Sequence, residues 1–179
     1  ETKTEKAIKM EKEAISLITE ITPDNALLVS NLYSNLGGLY KQTGKLELAQ
    51  QSMEHGIQIL EQFDFLYYHD SIAQSTNYAV LLTDMGHPEQ GLSALKKLSQ
   101  MIRQFNSDKT TDFALVQEAM GSICLTIGEI QQATTHFKKA LAVYELLFDG
   151  DANVIEMKKQ EILQTYIRAG ISLGQQLVN

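Results

Sequence analysis

The sequence is poor in the residues that β-strands, disulfide frameworks and nucleic-acid surfaces require. Its 179 residues include two prolines, one cysteine and no tryptophan, and the formal net charge is −7. Strand-like runs of β-branched and aromatic residues are missing, so the composition favours an all-α fold. The acidic excess, with no basic stripe to offset it, argues against nucleic acid as a direct partner. No apolar run approaches the length of a membrane span, so no membrane partner is expected.

The single cysteine, Cys124, excludes an intramolecular disulfide and suits a reducing compartment. We therefore expect a cytoplasmic location. The chain begins with Glu1 and not with methionine, and no secretory apolar segment follows it. Both features indicate a piece of a longer or processed protein.

Four glycines divide the chain at a constant interval. Gly44, Gly86, Gly128 and Gly170 are spaced by 42 residues, and we refer to them as the repeat-turn glycines. Each follows one helical pattern and precedes another. A glycine in that place is typical of a helix end where the backbone adopts the left-handed conformation. The constant interval therefore predicts an array of helix pairs.

Small residues recur with the same period inside the helices. Gly37, Ala79 and Gly121 each lie seven residues before a repeat-turn glycine. Small side chains at fixed positions let helix axes approach closely, so we interpret Gly37 as a contact point for a neighbouring helix. Gly38 does not recur, and it is either a local accommodation or part of a binding surface. We predict helices at residues 3–21, 25–43, 46–63, 69–85, 88–105, 111–127, 130–148 and 153–169.

These positions together resemble the tetratricopeptide repeat, and the long period resembles the variety found in kinesin light chains. The family pattern has a Leu, a small residue and a Tyr on the first helix, a turn glycine, and then Ala, an aromatic residue and Ala on the second. The first full repeat matches it through Tyr33, Leu36, Gly37, Tyr40, Gly44, Ala49, Met53 and Gly56. The third matches it through Met120, Gly121, Cys124, Gly128, Ala133, Phe137 and Ala140.

The resemblance implies an all-α fold, a right-handed α-solenoid of antiparallel helix pairs. We expect a single domain over residues 1–179 that begins with the second helix of a partial repeat at 3–21. Full repeats are expected at about 30–71, 72–113 and 114–155, followed by a partial repeat at 156–179. Incomplete repeats at the two ends also make self-association a possible property of the chain.

No catalytic, metal-binding or cofactor-binding constellation is evident, so we expect neither an enzyme nor a cofactor. The stretch "GLYKQTGK" has the wrong spacing for a phosphate-binding loop, and "DGDAN" lacks the later ligands of a calcium loop. The four histidines are scattered, and we expect solvated or capping roles for them. Cys124 is interpreted as a core residue, and Glu11 and Glu13 as part of a solvated helix face.

The resemblance also predicts where a partner binds, because the first helix of each pair lines the concave face of such an array. The basic clamp by which some relatives hold a carboxylate is missing, since Ser34 and Gly38 occupy two of its places. Asn35 and Asn77 share one repeat position, where an amide can donate to and accept from a peptide backbone. The predicted groove residues are Asn31, Ser34, Asn35, Gly38, Gln42, Thr76, Asn77, Val80, Asp84, Glu118 and Ser122.

Two functional interpretations follow from this surface. The first is a non-catalytic protein-interaction scaffold that binds a peptide segment of a protein partner in the groove. The second is a peptide-sensing regulatory segment of a larger enzyme or transcription regulator. A further contact surface is possible at the aromatic stretch from Phe63 to Asp70, although most of it is expected to seal the junction between repeats.

Overall fold

The computed structural model describes residues 2–63, 68–105, 108–149 and 151–169, and within these ranges the regular structure is helical with no strand. The chain forms two compact units, Glu1–His87 and Pro88–Asn179. The helices are α1 (Lys3–Ser16), α2 (Ala26–Gln42), α3 (Leu46–Glu61), α4 (Tyr68–Asp84), α5 (Pro88–Phe105), α6 (Thr111–Thr126), α7 (Ile130–Leu147) and α8 (Ala152–Arg168). The predicted all-α fold is confirmed.

The first unit is built around the pair α2 and α3, which a three-residue connection turns back on each other. Gly37 lies where the two helices approach, and a Cβ atom there would stand 2.5 Å from Met53 Cγ and 3.1 Å from the Ala49 carbonyl oxygen. One core cluster of the unit consists of Leu36, Tyr40, Ala49, Met53 and Leu81. The small residue at position 37 is therefore a packing requirement, as predicted.

The second unit repeats this arrangement in α6 and α7. A Cβ atom at Gly121 would stand 2.8 Å from the Phe137 ring, whose side chain is fully buried. The Phe137 and Tyr166 rings pack with centroids 5.5 Å apart. The core cluster consists of Cys124, Leu125, Ala133, Phe137, Ile162 and Tyr166.

The repeat-turn glycines end their helices in the left-handed conformation, as predicted. The φ angles are 73° at Gly44, 84° at Gly86 and 81° at Gly128, whereas Gly170 lies outside the described residues. After α2, the Lys45 amide donates to the Tyr40 carbonyl at 2.9 Å and the Gly44 amide donates to the Lys41 carbonyl at 3.1 Å. This pair of bonds is the Schellman motif, which satisfies carbonyls at the helix end.

Replacing Gly44 with alanine is expected to lower the free energy of unfolding by about 1–2 kcal/mol, because a Cβ atom opposes the left-handed conformation. The matched control is Gly38→Ala inside α2, where nothing lies within 4 Å of the added Cβ atom. That control should be stabilising by up to about 1 kcal/mol, the difference between glycine and alanine in a helix. Urea denaturation measures both, and equal effects would contradict the role assigned to the turn.

The predicted helix boundaries hold to within one or two residues except at α1, which ends at Ser16 and not at residue 21. The following segment is held by side-chain bonds that compete with helix formation. Asn25 accepts a hydrogen bond from the Thr22 amide and donates one to the Glu20 carbonyl, both at 2.9 Å. Ile18 leaves the helix to pack against the cluster of Ala26, Val29 and Ile59.

Candidate functional site

A cavity of about 540 Å³ lies in the first unit, and we refer to it as the groove cavity. It collects residues from α1, α2, α3 and α4. Six of the predicted groove residues line it, namely Ser34, Asn35, Gly38, Gln42, Asn77 and Val80. Residues that sequence reasoning did not assign to the groove also line it, namely Ala7, Glu11, Leu39, Lys41 and Met53.

Uncharged polar groups make up most of the polar lining of the groove cavity. Asn35 Nδ2 donates to Glu11 Oε1 at 3.4 Å, a long and exposed bond. Asn77 and Gln42 are exposed, and neither side chain has a hydrogen-bond partner in the part of the chain that the structure describes. Amide groups that have no partner in the protein are available to a ligand, since each can both donate and accept.

Gly38 faces the open space of the groove cavity. A Cβ atom built there would have nothing within 4 Å, in contrast to the adjacent Gly37. The two neighbouring glycines therefore have different surroundings in the same helix: Gly37 lies against α3, and Gly38 lies against the open space of the cavity.

The charged side chains near the groove cavity differ in whether a group of opposite charge neutralises them. Lys41 lines the cavity, and its Nζ lies 2.6 Å from Oδ2 of Asp84, a predicted groove residue that does not line it, in an ion pair between α2 and α4. Glu11 Oε2 is enclosed and has no hydrogen-bond partner within the described ranges. The expectation that Glu11 belongs to a solvated face is therefore wrong. The period itself carried the missed signal, since Glu11 lies 42 residues before Met53, which occupies a buried core position in the next repeat.

Two further predicted groove residues, Asn31 and Thr76, have hydrogen bonds that lie away from the groove cavity. Gln74 Nε2 donates to Asn31 Oδ1 at 3.1 Å, and Ser30 Oγ lies 2.7 Å from both Gln74 Oε1 and the Gly56 carbonyl oxygen. Asn31 thereby completes a buried polar network that joins α2, α3 and α4. Thr76 donates its hydroxyl to the Ile72 carbonyl of its own helix at 2.7 Å. Neither Asn31 nor Thr76 is among the residues that line the groove cavity.

The two predicted residues of the second unit lie one turn apart on α6, where Ser122 Oγ donates to the Glu118 carbonyl at 3.0 Å, and their side chains have different surroundings. Glu118 Oε1 is 3.8 Å from Lys158 Nζ, and Lys158 Nζ lies 5.0 Å from the centre of the Tyr144 ring. Burial, and then the nearby Glu118 carboxylate, raise the pKa of Tyr144 far above its usual range. Ser122 lines another cavity, of about 410 Å³, together with Leu125, Thr126, Thr165, Arg168 and Ala169.

The structure places two of the titratable side chains interpreted as structural, Cys124 and His136, in buried or partly buried surroundings. Cys124 is 1% exposed, which confirms its place in the core, and burial raises the pKa of its thiol. His136 is not simply solvated, because its Nδ1 lies 2.8 Å from Gln117 Oε1 and burial lowers its pKa. Among the residues that the structure describes, no three His, Cys, Asp or Glu side chains are placed to hold a metal ion.

The structure describes only part of the aromatic stretch from Phe63 to Asp70. Phe63 is partly buried and packs against the cluster of Ala26, Val29 and Ile59. Phe65 and Tyr67 lie outside the described residues, as does the side chain of Tyr68. A contact surface at this stretch stays a prediction.

Within the described ranges, every helix is too short or too polar to span a membrane.

Comparison with known proteins gives matches of three kinds, to a family model, to a related sequence and to solved structures. Residues 30–61 match the family model of the tetratricopeptide repeat. The protein KINESIN LIGHT CHAIN-RELATED 3 of Arabidopsis thaliana is 23% identical over 139 residues, which is 77% of this chain but 21% of that protein's length. The crystal structure of BtubC (BKLC) from P. vanneervenii superposes with a TM-score of 0.70 and 20% identity, over 93% of this chain and 66% of that one.

The matches agree with the geometry of the helices. The family model covers most of α2 and all of α3, the pair joined by the Schellman turn at Gly44. The superposition on the BtubC chain shows that the helices follow the fold of an all-α helical-repeat solenoid. Repeats of this family are protein-interaction scaffolds that are typically non-catalytic. Residues 30–61 thus match a tetratricopeptide repeat, and the chain as a whole is similar to kinesin-light-chain-related proteins in sequence and fold.

Proposed function

We propose that the chain is a non-catalytic scaffold that binds a peptide segment of a partner protein in the groove cavity of its first unit. The observation that carries the proposal is the convergence of Ser34, Asn35, Gly38, Gln42, Asn77 and Val80 on one cavity. These residues come from the first helices of two successive pairs. The buried, unbridged Cys124 is consistent with action in the cytoplasm.

The chemistry of the groove cavity suits an extended peptide. The Asn35 and Asn77 amides offer donors and acceptors that can pair with the main chain of a ligand. Val80 is 38% exposed and supplies an apolar contact for a side chain. The volume of about 540 Å³ lies within the range of roughly 300–1,000 Å³ that is common for ligand pockets.

Replacing Gly38 with leucine should abolish peptide binding without unfolding the protein, because the new side chain occupies the open space of the groove cavity. The probe is a phage-displayed library of random peptides, selected on the immobilised wild-type chain. Peptides that bind wild type and lose binding to Gly38→Leu are called groove peptides here. Fluorescence anisotropy with the synthetic peptides measures the loss, and the melting temperature shows that the variant is folded.

The control is Gln51→Leu, an exposed position on α3 that does not line the groove cavity. It places the same side chain on a second helix and should leave affinity unchanged. If every selected peptide binds Gly38→Leu as tightly as wild type, peptide recognition lies elsewhere and the proposal is wrong.

A further inference from the structure

The Glu11 carboxylate gives the groove cavity a chemical preference that the neutral amides do not. One oxygen, Oε1, accepts the long bond from Asn35 Nδ2 at 3.4 Å. The other, Oε2, is enclosed by protein and has no hydrogen-bond partner in the described ranges. An enclosed carboxylate oxygen without a donor is unfavourable, since it has lost water and gained nothing in return.

The other charges at the groove cavity do not compensate Glu11. Its lining includes one basic residue, Lys41, whose Nζ is 2.6 Å from Asp84 Oδ2 and is thereby committed to a different carboxylate. No ion pair joins Glu11 to a basic side chain within the described part of the chain. The charge that remains for a ligand at this cavity is therefore a single negative one.

On the basis of the proposed peptide binding, we infer that the groove cavity selects a peptide carrying a lysine or arginine side chain, whose cationic group pairs with Glu11. The ammonium and guanidinium groups carry donors and no acceptor, which matches a carboxylate whose one hydrogen bond within the described residues is the long, exposed bond from Asn35. Charge-assisted bonds of this kind are the strong ones, and they gain strength where water is excluded. Asn35 has a positioning role, because its amide holds the first carboxylate oxygen.

The occupant is a peptide and not a free amine, because the groove cavity offers more than the carboxylate. Asn77 and Gln42 lie on the same lining with their amides unpaired within the described residues. A small cation would leave these groups without partners, whereas a main chain would pair with them. The basic side chain fixes the register of the peptide, and the amides hold its backbone.

The test compares the groove peptides with neutral versions of themselves. Each arginine is replaced by citrulline and each lysine by norleucine, and affinities are measured for wild type, Glu11→Gln and Glu13→Gln. Glu13 lies on the same helix, is exposed and does not line the groove cavity. Glu13→Gln therefore removes the same charge as Glu11→Gln, but away from the cavity. Glu11→Gln should weaken binding by roughly tenfold or more, as expected for a hydrogen bond between charged groups.

Measuring both versions of each peptide on wild type and on Glu11→Gln distinguishes a direct ion pair with Glu11 from a general effect of charge. If Glu11 contacts the basic group, neutralising the peptide should cost about the same tenfold on wild type and almost nothing on Glu11→Gln. Groove peptides that lack lysine and arginine would overturn this inference and leave the groove proposal standing. Equal losses in Glu11→Gln and Glu13→Gln would also overturn it. If no groove peptides are obtained, both proposals are wrong.

Discussion

Replacing Gly37 or Gly121 with leucine will lower the free energy of unfolding by about 1–3 kcal/mol, the usual cost of overpacking a filled interior. At Gly121 even the first added carbon would stand within 3.0 Å of three atoms of the Phe137 ring. That ring is 1% exposed and packs on Tyr166, so it has no free space into which to turn. The helices must therefore separate to admit the side chain.

At Gly37 the obstacle is partly backbone. The added carbon would meet Met53 Cγ at 2.5 Å and the Ala49 carbonyl oxygen at 3.1 Å. A methionine side chain can change rotamer, but a helix carbonyl cannot move without its helix. We expect the melting temperature to fall by roughly 2–4 °C for each kcal/mol lost in a chain of this size.

Gly38→Leu is the matched control for both substitutions, since it makes the same change at the next residue of α2. Nothing lies within 4 Å of a Cβ atom there, and leucine favours the helix over glycine by up to about 1 kcal/mol. Its melting temperature should stay the same or rise. If Gly37→Leu and Gly121→Leu melt at the wild-type temperature, the small positions are not the contact points between paired helices.

The sequence predicted the helix pairs well because their requirements recur with the period. A residue with positive φ at Gly44, Gly86 and Gly128 must be one that tolerates this conformation, and glycine does so at every turn. The close contacts at Gly37 and Gly121 likewise demand small residues at equal spacing. Constraints imposed by the backbone are repeated in each unit, so the repeat pattern records them.

The groove was less predictable because side-chain partners are not repeated. The period places Asn31 on the first helix beside the other groove residues, but it does not show that Gln74 reaches back to bind its amide. Nor does it show that Lys41 and Asp84, on successive first helices, neutralise each other. Each such contact depends on the identity of two residues in different repeats. The positions of these residues follow the repeat period, but the identities of their side chains do not.

Changing both Asn35 and Asn77 to alanine should weaken binding of the groove peptides by tens-fold or more, while the melting temperature changes little. Both amides line the groove cavity, and the one bond they make within the described residues is the exposed contact of Asn35 to Glu11 at 3.4 Å. In the complex, each lost amide would leave a peptide group unpaired, at a cost of roughly 1–3 kcal/mol.

Asn31→Ala is the control that should show the opposite behaviour. Its amide oxygen accepts from Gln74 Nε2 at 3.1 Å in a network that includes the buried Ser30. Its removal leaves a donor of Gln74 unpaired, so stability should fall while affinity for the groove peptides is retained. Urea denaturation and fluorescence anisotropy on the same samples separate the two effects. A double alanine variant that loses stability before affinity would show that Asn35 and Asn77 hold the helices together, and unaltered affinity would remove them from the binding surface.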